Sequence, residues 1–150
     1  MPTNATSWYL DTSVLLRILL GDSPVAKTWF EAARARGEEF FGSQLLDLEV
    51  RRTVLNMHLL SRSPLNMSIV DEYLREINLV AITDAIIASA AVLHVPLRAA
   101  DAIHVATALD LGSGAVHLVT HDVQMASGAM TLGLSVVDPV TDDPGRAAVV

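Results

Sequence analysis

The chain has 150 residues, enough for one domain with a real core and too few for two. With 51% hydrophobic and 18% charged residues it is not a disordered chain, and without cysteine it has neither a disulfide framework nor a thiolate zinc site. Its net charge of −7 disfavours binding nucleic acid through a broad basic surface.

Short apolar runs alternate with longer helical patterns, which predicts βαβ units and a parallel sheet. Residues 8–10 form a first strand ending at Asp11. Thr12 or Ser13 then caps a helix running through Leu20 and closed by Gly21. Ser23 and Pro24 open a second helix that runs to about Arg36, where Gly37 stops it. Residues 40–42 form a second strand, followed by a long helix over 45–60. Its expected core stripe is Leu45, Leu48, Leu55 and Leu59, with Glu49 at the edge.

A break over 61–66 contains Pro64, after which Ser68 and Asp71 look like a capping box for a helix through Glu76. Residues 79–81 form a third strand. Thr83 caps a helix over 84–93 that is apolar nearly all round, so both of its sides are expected to be covered. Pro96 resets the chain, and a helix over 98–111 closes at Gly112. A fourth strand (116–119), a helix (123–132) ended by Gly133, and a fifth strand (134–137) complete the pattern. The expected fold class is therefore α/β, a three-layer α/β/α sandwich around a five-stranded, mostly parallel sheet, with one domain over 1–139 and a flexible tail over 140–150.

The most apolar stretch, 79–97, is broken by Thr83, Asp84, Ser89, His94 and Pro96, so no membrane span is expected. The N-terminus lacks a basic segment followed by an apolar core, which points to a cytoplasmic protein. A mean hydropathy of +0.42 suggests apolar surface covered by a partner.

Ligands bind beyond the carboxyl ends of parallel strands. Asp11 and Asp122 follow the first and fourth strands, Asp101 falls in the first turn of its helix, and Glu49 lies about one turn into the long helix. Each has a plainer reading alone: a helix cap for Asp11 and Asp122, a helix-dipole partner for Asp101, a surface acid beside Arg52 or Thr53 for Glu49. Together at one edge they would repel one another, and a cluster of oxygen donors without cysteine points to Mg²⁺ or Mn²⁺. Ser13, two residues after Asp11, and Thr120, two before Asp122, are placed to orient the acids.

Other chemistries fare worse. His117 and His121 fall on or beside a strand, where four residues span roughly 13 Å, so they do not chelate one ion. His104, three residues after Asp101, reads as a partly buried ring with its hydrogen bonds satisfied. Ser13 has no nucleophile elbow around it, and Gly112 and Gly114 precede a strand, which is not the place of a phosphate loop. A phospho-accepting receiver domain needs a lysine near its aspartate, yet the only lysine, Lys27, lies in a distant helix pattern. A haloacid-dehalogenase-type phosphatase needs a second aspartate at position 13, which is serine.

The segments YLDTSVLLR, LDLEVRRTVL, LRAADAIHVATAL, LVTHD and GLSVVDP, in that order and spacing, resemble the PIN-domain ribonucleases, specifically the VapC-type toxins of bacterial toxin–antitoxin pairs. The resemblance runs from about Trp8 to about Pro139. It implies that Asp11, Glu49, Asp101 and Asp122 form an acidic metal site, catalytic as well as ligating, with Ser13 and Thr120 as supporting hydroxyls. It also implies divalent-metal cleavage of RNA, a homodimer, and inhibition by a small VapB-type antitoxin. The chemistry expected is attack on phosphorus by a metal-activated water, leaving 5′-phosphate and 3′-hydroxyl ends. Arg17, Arg51, Arg52 and Arg98 are candidate RNA phosphate contacts, and the acidic pocket is a natural receptor for an arginine or lysine of the antitoxin. The alternative is a non-catalytic or regulatory metal-binding interaction module of the same fold.

Overall fold

The structure is a computed structural model that describes residues 6–61 and 64–140, so the expected tail lies outside the described residues beyond Val140. Five strands, β1 (Ser7–Leu10), β2 (Glu39–Ser43), β3 (Ile77–Val80), β4 (His117–Val119) and β5 (Ser135–Val137), pair in the order β3-β2-β1-β4-β5. Every pairing is parallel. The helices are α1 (Thr12–Leu19), α2 (Pro24–Ala35), α3 (Gln44–Ser61), α4 (Met67–Arg75), α5 (Asp84–Ala91), α6 (Ala99–Leu111) and α7 (Val123–Thr131). This is the expected α/β sandwich. None of these helices is long and apolar enough to cross a membrane.

Side-chain alternation along the strands builds two cores. Trp8 and Leu10 of β1 pack on one face with Phe40, Val14, Phe30, Leu46, Val50 and Val70. Tyr9 points to the other face, with Leu118, Val105, Ala108 and Met125. Helices α1–α4 therefore cover one side, and α6 and α7 the other. Aromatic rings anchor the first core: Phe30 stacks on Phe40 with centroids 4.3 Å apart, and Trp8 meets Trp29 edge-on at 5.2 Å.

Several local expectations are corrected. The stripe of α3 that meets the core is Leu46, Val50 and Val54, while Leu48 and Leu59 are exposed. The reason is the join between β2 and α3. No residue separates them, and the Ser43 hydroxyl accepts from the Leu45 N–H at 3.0 Å, so the strand dictates the phase of the helix. The N-cap of α1 is Asp11, not Thr12 or Ser13, because Thr12 is buried with its hydroxyl bonded elsewhere. Asn66, whose side chain accepts from Ile69 N, caps α4 in place of Ser68. Strand β3 starts two residues earlier than expected, at Ile77. Helix α5 buries only Ile86 and leaves Ile87 and Val92 exposed, so one of its faces is uncovered in the single chain.

Strand order makes β1 the point where the sheet reverses direction of growth. The chain moves outward from β1 to β2 and β3, then returns across to β4 and β5. Helix α1, which follows β1, packs on one face of the sheet and α7, which follows β4, on the other, so the carboxyl ends of these strands form the topological switch point. Asp11 N donates to Val119 O at 3.0 Å, which fixes the two strand ends side by side.

Replacing Phe40, 2% exposed and stacked on Phe30, with alanine should lower unfolding free energy by about 3–5 kcal/mol in urea denaturation. Leu60→Ala, at 87% exposure, should change it by less than about 0.5 kcal/mol. Equal effects would contradict the burial of Phe40 and the exposure of Leu60.

Candidate active site

Asp11 sits at the end of the central strand, only 5% exposed. It occupies the N-cap position of α1, yet its side chain makes no capping bond. Instead its Oδ2 accepts from Ser13 Oγ at 2.7 Å and from Thr120 Oγ1 at 2.9 Å. Both hydroxyls are themselves held. Ser13 Oγ accepts from His121 N–H, and Thr120 Oγ1 accepts from Asp122 N–H at 3.0 Å. The two supporting hydroxyls expected from sequence thus clamp one oxygen of Asp11 and tie it to the β4–α7 loop.

Asp122 caps α7 through Oδ1, which accepts from Met125 N–H at 3.0 Å. The cap reading and a site role are therefore compatible. Asp101 stands in the first turn of α6. Burial raises its carboxyl above the usual aspartate range, and the charges of Asp11, Asp122 and Glu49 add to that rise against a smaller opposing effect of His104. Asp11, Asp122 and Glu49 thus all bear on the charge of Asp101.

Glu49 is not a surface acid paired with Arg52 or Thr53. Its Oε1 accepts from Thr12 Oγ1 at 2.8 Å and lies 2.7 Å from His104 Nε2. Partial burial pushes its carboxyl up, but the hydrogen bonds from His104 and Thr12 and the nearby imidazole outweigh this and hold it below the ordinary glutamate range. The Glu49 carboxyl is thus shifted down and the Asp101 carboxyl up.

Three site residues escape sequence reasoning. His104, 1% exposed, lies among Glu49, Thr12 and Tyr9, and its Nε2 is 4.0 Å from Asp11 Oδ1. Its ring is satisfied, as expected, but by the site itself. The only sequence signal was its spacing from Asp101. Thr12 reads locally as a cap, and Tyr9, whose Oη is 3.0 Å from His104 Nδ1, is separated from it by ninety-five positions. Burial holds the Tyr9 phenol well above its usual range, so it remains protonated.

The arginines divide. Arg17, one helical turn past Ser13, and Arg98, the N-cap residue of α6, are exposed. Arg51 pairs with Asp47 at 2.6 Å and Asp71 at 2.8 Å, and it sits about 200° around α3 from Glu49. Arg52 bonds Asn56 at 3.0 Å on the exposed face.

Comparison with known proteins adds the decisive observation: residues 8–128 match the family model described as the PIN domain. The chain belongs to the PIN-domain family. This PIN domain is 26% identical over 134 residues to ribonuclease VapC47 of Mycobacterium tuberculosis (strain CDC 1551 / Oshkosh), spanning 87% of this chain and 96% of that protein. Two solved structures share its fold. One is a toxin–antitoxin complex from Klebsiella pneumoniae, with a TM-score of 0.63 and 24% identity over 88% of this chain and 97% of that one. The other is VapBC2 from Rickettsia felis bound to a DNA fragment from their promoter, with a TM-score of 0.69 and 13% identity over 89% and 98%.

The opposed carboxyl shifts have a measurable consequence. Asp101, with its folded-state value raised, is most favourable to folding when protonated and loses that favour as pH rises through the raised value. In metal-free buffer at pH 7, Asp101→Asn should therefore raise the thermal midpoint. The gain should vanish as pH falls below the ordinary aspartate value. A midpoint lowered at pH 7 would show that repulsion at this locus is not what Asp101 experiences.

Proposed function

We propose that this PIN domain is a divalent-metal-dependent endoribonuclease and the toxin half of a toxin–antitoxin pair. The observation that carries the reading is geometric: Asp11, buried at the end of the central strand, is clamped by Ser13 and Thr120, and His104 links it to Glu49, with Nε2 4.0 Å from Asp11 Oδ1 and 2.7 Å from Glu49 Oε1. The named relative is a ribonuclease, which supports the same activity.

The residues fit a hard cation. Every acidic donor is an oxygen, and the repulsion at Asp101 is the kind that a positive ion relieves. Among the described residues, no three acidic or histidine side chains form a cage for an ion by themselves. Mg²⁺ keeps several waters and leans on one or two carboxylates plus a substrate phosphate, so it does not require such a cage. Asp11, Asp101 and Asp122 would hold the ion, with Glu49 at its edge, and Mn²⁺ would serve as well. When bound, such an ion supplies a Lewis acid for a phosphate oxygen and lowers the pKa of a water.

The chain's own groups do the rest. Ser13 and Thr120 immobilise Asp11 through Oδ2, so Oδ1 is the oxygen presented to a ligand. Asp122 commits Oδ1 to the α7 cap, so Oδ2 is what it can offer. Glu49, ionised and tethered by Oε1, has Oε2 with which to orient a water or take its proton. Arg17 and Arg98 are the arginines placed to hold flanking phosphates, which offsets the acidic net charge near the cleft. Arg52 lies farther along α3, and Arg51 is occupied by its two aspartates. The partner is a VapB-type antitoxin whose basic side chain enters the acidic pocket. A homodimer accords with the exposed apolar face of α5.

Purified protein should cleave RNA in Mg²⁺ or Mn²⁺, leaving 5′-phosphate ends, and EDTA should stop it. Asp11→Asn and Asp101→Asn should reduce cleavage to background while remaining folded by circular dichroism. Saturating Mn²⁺, at about a hundred times its dissociation constant, should stabilise the parent by about 2.7 kcal/mol and the variants by less. Ion-induced stabilisation without any cleavage would instead favour the non-catalytic interaction module. Cleavage that survives both substitutions unchanged would mark a contaminating nuclease.

A further inference from the structure

We propose that His104 is the positioning residue for Glu49, holding the glutamate by one oxygen so that the other faces the acidic locus. The claim rests on the ribonuclease reading only for its effect on rate.

Glu49 reaches the site on a long side chain from α3, whereas Asp11 and Asp122 are short residues at strand and helix ends. A glutamate side chain has several rotamers, and a free one would spend little time in the geometry the site needs. Two donors remove that freedom. Thr12 Oγ1 donates to Oε1 from α1, and His104 Nε2 approaches the same atom at 2.7 Å from α6. An ionised carboxylate only accepts, so Nε2 carries the hydrogen of that bond. Nδ1, on the far side of the ring, is 3.0 Å from the Tyr9 hydroxyl, which donates to it in the neutral ring and accepts from it in the imidazolium, so the ring is held from both ends in either state.

Tyr9 is fully buried in β1, two residues before Asp11. The resulting chain runs from the central strand through α6 to α3: Tyr9 Oη to His104 Nδ1, then His104 Nε2–H to Glu49 Oε1. It couples the placement of Glu49 to the strand that places Asp11. Partners of this kind orient ligating groups elsewhere, and their loss costs about 10–100-fold in affinity or activity.

The test compares His104→Gln, whose carboxamide N–H reaches toward Glu49, with His104→Leu, which fills the space and donates nothing. Crystal structures and steady-state kinetics are measured for both against the parent. In H104L, Glu49 should leave Thr12 or adopt several rotamers, and kcat for Mn²⁺-dependent RNA cleavage should fall about 10–100-fold with KM nearly unchanged. In H104Q, Glu49 should return to its place and kcat should recover to within about threefold of the parent. The proposal is overturned if Glu49 keeps its rotamer in H104L, or if glutamine loses as much kcat as leucine. A parent that cleaves no RNA sinks the ribonuclease reading alone, and the Glu49 rotamers in the two variants then decide the positioning claim. Should neither variant fold, Tyr9→Phe supplies the second measurement. Histidine ¹⁵N spectra of the parent should show a slowly exchanging Nε2–H that Tyr9→Phe makes exchange faster, and an unaltered exchange rate counts against the chain of bonds.

Discussion

The site depends on one buried carboxylate at the end of the central strand. Asp11 is taken out of water at the point where the sheet changes direction, and two hydroxyls hold one of its oxygens. A carboxylate in that position is tolerable only because hydrogen bonds replace lost solvation. Those bonds come from Ser13 in α1 and Thr120 after β4, so satisfying Asp11 also locks together the two strand ends at the switch point. Asp122 follows, because its own N–H is fixed on Thr120. The order of strands, the clamp on Asp11 and the placement of Asp122 are consequences of one arrangement.

Glu49 and Asp101 answer to the same field in opposite senses. Glu49 gains two donors and is shifted down, whereas Asp101 faces three negative neighbours and is shifted up. The division comes from partners rather than burial, since burial pushes both carboxyls up. His104 and Thr12 establish the difference, and both lie on helices that start at the carboxyl edge of the sheet.

Much of this was legible along the chain. The alternation of strands and helices, the strand-end position of Asp11 and Asp122, and the hydroxyls two residues away are local features that survive folding unchanged. The α3 stripe was not legible. Two apolar stripes compete on that helix, and leucine content favours the one that the structure exposes, because the turnless join at Ser43 sets the rotation. The partners of Arg51 are illegible for a related reason: they are Asp47 on its own helix and Asp71 on the next, and the second pairing exists only once α4 packs beside α3. His104 was read as a satisfied ring, but nothing near it in the chain names Tyr9 or Glu49 as the satisfying groups.

By itself the sequence determined the period and order of the elements and the parallel sheet those elements require, since each follows from residues within a few positions of one another. Only the tertiary structure decided which face of α3 is buried, which acid is shifted down and which up, and that a histidine and a threonine from two helices converge on Glu49. Those outcomes turn on the rotation of helices about their axes and on contacts across tens of residues, and a carboxylate's charge state is set by whichever donors and charges the packing brings to it.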